Sequence, residues 1–106
     1  MLAFELDQIS SQAAAGDDRY VEFLRVPDLS LGLYRLGAGV HDPQQPHQQD
    51  EVYYIQKGRG KIQVQNEIRD VRAGSIIYVQ AFAEHQFIEI EEDLEILVFF
   101  APAESR

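Results

Sequence analysis

The chain has 106 residues and a mass of 12.1 kDa, the size of one domain with a single hydrophobic core. Hydrophobic residues make up 45% and charged residues 25%, a globular composition that excludes disorder for the chain as a whole. The formal net charge of −9 would repel a phosphate backbone, so we expect no nucleic-acid partner.

The amino-acid content also limits redox chemistry and membrane association. There is no cysteine, which excludes disulfides, thiolate ligands and a thiol nucleophile, so any metal must be bound through nitrogen and oxygen. No apolar run approaches the roughly 18 residues that span a bilayer, and residues 1–8 lack the basic and apolar regions of a signal peptide. We therefore predict a soluble, cytoplasmic protein without a membrane partner.

The N-terminal region differs in pattern from the rest of the chain. Residues 1–19 carry few strand signals, and Asp7–Ala15 predicts a short helix that ends at Gly16. From residue 20 onward, short β-type runs alternate with turn residues about every ten positions, which is typical of an all-β sandwich or barrel. We therefore divide the chain into an N-terminal appendage, residues 1–19, and one barrel domain, residues 20–106.

Eight short strands are predicted in the barrel domain, with turn residues rather than long helices between them. They are Val21–Arg25, Leu31–Leu36, Glu51–Lys57, Lys61–Val64, Ile68–Val71, Ser75–Gln80, His85–Glu89 and Leu94–Phe99. Parallel pairing needs crossovers of about a dozen residues or more, which these connections do not provide. The sequence therefore predicts an antiparallel all-β fold.

Polar side chains of the types that bind metals lie at or before the starts of two of these strands. Because side chains alternate between the two faces of a strand, Gln45 and His47 point the same way if their segment is extended, as Pro46 favours. Glu51 begins the next predicted strand and His85 a later one. Two imidazoles and a carboxylate are ligands that first-row metals use. Taken singly, each histidine also fits a purely structural role.

The spacing of six residues resembles the two sequence motifs of the cupin superfamily. They are Gly39, His47, Glu51 and Gly58 in the first motif, and Gly74 and His85 in the second. Gln45 stands where the first motif usually has a histidine, and Gln80, Phe82 and Glu89 stand where the second has proline, glycine and asparagine. The resemblance implies a double-stranded β-helix, the jelly-roll barrel of cupins, preceded by the short helix.

The resemblance also implies a metal site in the mouth of the barrel, held by His47, Glu51 and His85. The ion would be a divalent Fe, Mn, Zn or Ni. Gln45 would be the fourth ligand, although an amide oxygen is a weaker donor than imidazole for these metals. His41 competes with it, and so does Gln44 if a bulge turns that side chain inward.

Three functions are consistent with this pattern. The first is a metal-dependent oxygenase, isomerase or lyase acting on a small organic molecule, because two histidines and a carboxylate form a facial triad with open positions. Glu51 would act in catalysis, Tyr53 would contact substrate, and Tyr53 and Phe87 would form the pocket walls. The second is a module that binds or senses a small ligand or metal, and the third is a metal-free structural cupin. Small cupins commonly pair through edge strands, so we also expect a homodimer.

Overall fold

The computed structural model describes residues 1–105, so Arg106, the last residue of the predicted barrel domain, lies outside the described part. Within residues 1–105 the chain forms one helix and six strands. They are α1 (Leu6–Ala14), β1 (Tyr20–Val26), β2 (Leu29–Leu36), β3 (Asp50–Val64), β4 (Glu67–Arg72), β5 (Ile76–Val79) and β6 (His85–Ala101). The predicted all-β class with a short N-terminal helix is confirmed. The boundary between residues 19 and 20 stays a prediction.

The strands pair antiparallel in the order β1-β2-β6-β3-β4, and β5 lies beside β3. β3 is central because it pairs with β6 along one edge and with β5 and then β4 along the other. The register aligns Glu51 with Phe100 at one end of the β3–β6 pair and Val64 with His85 at the other. This topology brings the start of β3 close to the end of β5 and the end of β6.

The prediction of separate strands on either side of Gly58 and of Asp93 is wrong. β3 and β6 continue through these positions as a bent pair whose register shifts between Ile55 and Lys61. Gly58 has φ +88°, and a Cβ there would collide with the carbonyl oxygen of Asp93. Glycine therefore permits a bend inside a strand here, rather than a turn between two strands.

The core lies on the inner face of the barrel, where the alternation along β3 buries Glu51, Tyr53 and Ile55 and leaves the residues between them half-buried. Its buried apolar side chains come from β2 to β6 and from the segment before β6. They are Tyr34, Leu36, Tyr53, Ile55, Ile62, Val71, Val79, Ala83, Phe87, Ile90, Leu94, Ile96, Val98 and Phe100. The buried Glu51 thus stands at one end of an otherwise apolar interior.

The N-terminal helix covers the outer face of the sheet. Ile9 and Ala13 pack on Leu33 of β2. The Leu33 side chain points away from the barrel core, whereas that of the next residue, Tyr34, points into it. Arg35 also points outward, and its guanidinium donates to the carbonyl of Ala13 at the end of the helix. Among residues 1–105, no helix is long and apolar enough to cross a membrane.

Candidate metal centre

His47, Glu51 and His85 meet at one end of the barrel. Glu51 is the second residue of β3, His85 is the first residue of β6, and His47 lies just before β3. His85 Nε2 lies 2.8 Å from Glu51 Oε1, and His47 Nδ1 lies 3.2 Å from the same oxygen. One donor atom from each of the three residues falls within 4.8 Å of the other two. Donors at about 2.1 Å from a common ion lie roughly this close together, so the structure assembles a possible ligand set.

The surroundings of these donors fit a cation. Glu51 is 2% exposed, and its Oε2 has no hydrogen-bond partner among the described residues. His85 Nδ1 lies 2.9 Å from the carbonyl oxygen of Ala83, which can only accept a hydrogen bond. The N–H of a neutral His85 therefore lies at Nδ1, and its Nε2 lone pair faces Glu51. A buried carboxylate with one oxygen left without a partner, and an imidazole lone pair that faces its other oxygen, are donors that a divalent ion can use.

Without a metal, protons take the place of the cation. Burial lowers the pKa of His47, but hydrogen bonds to Glu104 and Glu51 outweigh it and raise the pKa to about 9. Burial also lowers the pKa of His85, but the Glu51 carboxylate and the Ala83 carbonyl more than compensate, and the net pKa is raised. Burial raises the pKa of Glu51, but the hydrogen bonds from the two histidines lower it by more. The net pKa therefore falls below its usual range. A metal ion must therefore displace these protons.

The amide beside the cluster belongs to Gln44 and not to Gln45, which corrects the prediction of Gln45 as the fourth donor. Gln45 is exposed, whereas Gln44 Oε1 lies 3.2 Å from His85 Nε2. Gln44 Nε2 donates to Asp42 Oδ2 at 2.7 Å, which fixes the orientation of the amide. The alternative in which the segment turns Gln44 inward is therefore the arrangement that the structure adopts.

Asp42 is the cause of that turn, and sequence reasoning missed its role. Its side chain is 1% exposed and accepts hydrogen bonds from the Tyr34 hydroxyl at 2.6 Å and from the backbone N–H of Phe87 at 2.8 Å. It also accepts from the backbone N–H of Gln44, two residues on, at 3.2 Å. That local bond is the Asx turn that an aspartate before proline favours, so the sequence contains a signal for the turn. No local signal shows that the carboxylate is buried.

Tyr53 and Phe87 lie next to the cluster but do not line a cavity, so their prediction as pocket walls is wrong. Both are buried, and their rings pack edge to face with centroids 5.1 Å apart, because the narrow barrel is filled by side chains here. The Tyr53 hydroxyl donates to Gln44 Oε1 at 2.7 Å. Burial and the nearby Glu51 carboxylate raise the pKa of Tyr53 well above its usual value. Tyr53 therefore keeps its proton and holds the Gln44 amide.

The cavity beside His85 is lined by amides instead. It has a volume of about 280 Å³ and is bounded by Gln44, Gln45, Pro46, Gln63, Gln65, Glu84, His85 and Gln86. A larger surface groove of about 850 Å³ runs along β4, but His47, Glu51 and His85 do not line it. Of the three residues of the cluster, only His85 lines the small polar cavity.

Two further residues complete the description of the site. His41 is exposed and does not belong to the group formed by His47, Glu51 and His85. Glu104, after β6, places its Oε2 3.3 Å from His47 Nε2. The sequence offers no signal for Glu104, because it follows the last strand and lies outside both motifs.

The fold and the cluster define a small antiparallel β-barrel protein with two histidines and a glutamate at one end. The chain belongs to the cupin family, since the Cupin_2 family model, described as a cupin domain, matches residues 32–100.

Relatives support this assignment over most of the chain. Uncharacterized protein SCO3923 of Streptomyces coelicolor is 49% identical over 105 residues, which cover 99% of this chain and 100% of that protein. KdgF from Halomonas sp. shares the fold with TM-score 0.70 and 19% identity over 78% of this chain and 76% of its own. The DMSP lyase DddQ from Ruegeria pomeroyi matches with TM-score 0.70 and 17% identity, over 79% of this chain but only 47% of its own. The two structural matches show a shared fold, the double-stranded β-helix.

Proposed function

We propose that the protein is a metal-dependent enzyme that binds one divalent ion, Fe, Mn, Zn or Ni, through His47, Glu51 and His85. One observation carries the proposal: the donor atoms of three residues converge, while the buried Glu51 Oε2 has no partner among residues 1–105. Two imidazoles and one carboxylate leave coordination positions open for substrate. When bound, the ion would act as a Lewis acid on a substrate oxygen or activate dioxygen.

The neighbouring side chains suggest how a small organic molecule would bind. The cavity beside His85 offers amide groups that can both donate and accept hydrogen bonds, and its lining contains no lysine or arginine. Gln44 lies at the boundary between the cavity and the cluster, held by Asp42 and Tyr53. It would orient the polar end of the molecule, and Glu51 would stay ionised as a ligand of the ion, since its pKa lies below its usual range.

The fold is compatible with this chemistry, because one protein that shares it is a lyase by name, DddQ from Ruegeria pomeroyi. We propose that the protein acts as a lyase, an isomerase or an oxygenase, since the open coordination positions suit all three.

Titration of metal-free protein with Zn(II), Mn(II), Ni(II) and anaerobic Fe(II) tests the proposal. We expect one ion per chain for at least one metal, measured by calorimetry or by competition with a chromophoric chelator. His47→Ala should weaken binding at least about 100-fold, since it removes one of only two imidazole donors. His41→Ala is the matched control, because His41 is exposed outside the cluster, and it should bind like the wild type. Absence of binding by the wild type, or equal loss in both variants, would make the metal-free module the better description.

A further inference from the structure

We infer that Glu104 is part of the metal centre as the positioning residue of His47, an inference that rests on the proposed function. Its carboxylate would accept the N–H of His47 Nε2 and so leave the Nδ1 lone pair for the ion. Glu104 lies in the segment that follows β6, Pro102–Ser105, outside both cupin motifs.

The two nitrogens of His47 face two different carboxylates. Nε2 lies 3.3 Å from Glu104 Oε2, and Nδ1 lies 3.2 Å from Glu51 Oε1. A neutral imidazole carries one N–H and one lone pair, and a carboxylate can only accept. If a cation takes the place of the proton beside Glu51, Nδ1 must offer its lone pair and Nε2 must keep the N–H. Glu104 is the acceptor that favours this tautomer.

The backbone of Glu104 is fixed by the turn between β1 and β2. Its N–H donates to Ser30 Oγ at 2.9 Å, and Ser30 is 0% exposed. Its carbonyl accepts from the Arg25 guanidinium, and the N–H of Ala103 donates to the Pro27 carbonyl at 3.3 Å. These bonds fix the backbone of Glu104 next to His47, so that its carboxylate reaches Nε2 through the side-chain rotamer alone.

The segment is also tied to the loop that carries His47. Gln49 Nε2 donates to Ser105 Oγ at 2.6 Å, and Gln49 is buried. The side chains of His47 and Glu104 are 20% and 26% exposed, so their contact is only partly open to water. Pro102–Ser105 therefore lies against the His47 side of the cluster. The amide-lined cavity opens beside His85.

Each of the two histidines thus has one nitrogen near Glu51 and the other near a hydrogen-bond acceptor, and the two acceptors differ. His85 directs one nitrogen to the neutral carbonyl of Ala83 and the other to Glu51. His47 directs one nitrogen to the charged Glu104 and the other to Glu51. A carboxylate partner makes an imidazole a stronger donor than a carbonyl partner does. His47, the more exposed of the two, has the stronger partner.

Glu104→Gln tests the inference, with Glu92→Gln as a matched control that removes the same charge from a side chain 61% exposed. We expect Glu104→Gln to weaken Zn(II) binding by about 10- to 100-fold and Glu92→Gln to leave it unchanged. The thermal midpoint of metal-free Glu104→Gln should stay within a few degrees of the wild type. Long-range ¹H–¹⁵N spectra of the zinc-loaded wild type should show His47 with a protonated Nε2 and a metal-bound Nδ1.

The outcomes separate this inference from the proposed function. If the wild type binds zinc and Glu104→Gln binds it equally well, the inference is wrong and the proposed function stands. If the wild type binds none of the four metals, both are wrong. A His47 that binds zinc through Nε2 overturns the inference alone, and so does an affinity loss that appears equally in Glu92→Gln. Should Glu104→Gln fail to fold, the spectra of the wild type decide by themselves.

Discussion

The two motif segments, residues 39–58 and 74–89, depart from the cupin pattern in different ways. The first changes a donor side chain, with Gln45 at the position of a histidine. The second changes residues that normally set the backbone, with Phe82 in place of glycine and Glu89 in place of asparagine. The structure responds to the two kinds of change differently.

In the first segment the amide moves by one residue. The backbone turns around the buried Asp42, and the inward position passes from Gln45 to Gln44. Which side chain reaches the cluster is therefore decided by the hydrogen bonds of Asp42 and Gln44, within the loop and to the barrel, and not by the motif spacing.

In the second segment two of the departing residues lie in the left-handed region of the backbone. Phe82 has φ +68° and Glu89 has φ +45°, both in the left-handed region that glycine and asparagine adopt most readily. The N–H of Phe82 donates to the carbonyl of His47 at 2.7 Å, which ties this conformation to the metal-binding loop. Here the surrounding sheet and loop determine the backbone, and the residue accepts local strain. In the first segment the hydrogen bonds of one buried aspartate thus select the donor, whereas in the second segment the barrel sets the backbone path.

Alanine substitution of the adjacent pair Gln44 and Gln45 tests the first half of this comparison. Gln44→Ala should weaken Zn(II) binding by about 10-fold, because the amide that contacts His85 and Tyr53 is lost. It should also lower the free energy of unfolding by roughly 1–2 kcal/mol, since Tyr53 loses its acceptor.

Gln45→Ala is the control and should change neither quantity, as Gln45 is exposed. For the same reason, Gln45→His should bring no gain in affinity. If Gln45→His strengthens Zn(II) or Ni(II) binding while Gln44→Ala has no effect, the loop adopts the motif register in solution and the comparison fails.

The first segment should also give the metal-free protein a pH-dependent stability. The folded-state pKa of His47, about 9, lies above its ordinary value of 6.5. The resulting stabilisation is fully present below pH 6.5 and is lost as pH rises toward 9. We expect the free energy of unfolding in a metal chelator to fall by roughly 1–2 kcal/mol across this window. His85 contributes in the same direction, because its pKa is also raised. His47→Gln should therefore reduce this dependence but not abolish it. A wild-type free energy of unfolding that does not change between pH 6 and 9.5 would contradict the pairing of His47 with Glu51 and Glu104.

How much the sequence predicts follows the same division. The strand pattern and the positions of His47, Glu51 and His85 were predictable, because burial alternates along strands and the motif spacing follows the sheet. The continuity of β3 and β6 through Gly58 and Asp93 was not, since a glycine that permits a bend has the same local signature as a turn. The positions of Asp42 and Glu104 were not predictable either. Asp42 depends on a hydrogen bond from Phe87, 45 residues away along the chain. Glu104 depends on a hydrogen bond to Ser30, 74 residues away. Such contacts exist only once the barrel has closed.

The left-handed backbone at Glu89 predicts a small stabilisation by a residue that favours this conformation. Glu89→Asn should relieve part of the strain at φ +45°, because asparagine enters the left-handed region more readily than glutamate. Glu91→Asn is the matched control. Glu91 is also an exposed glutamate of β6, it forms one surface ion pair with Arg59 as Glu89 does with Lys61, and its φ is not positive. Both substitutions remove one charge and one weak ion pair, so these contributions cancel in the difference.

In urea denaturation at neutral pH, Glu89→Asn should therefore be more stable than Glu91→Asn by about 0.5–1 kcal/mol. Equal midpoints would mean that the backbone at Glu89 is not held in the left-handed region. The second segment would then have changed its path along with its residues, as the first segment changed its donor. A difference of the expected sign would show that the barrel determines the backbone against the preference of the residue it contains.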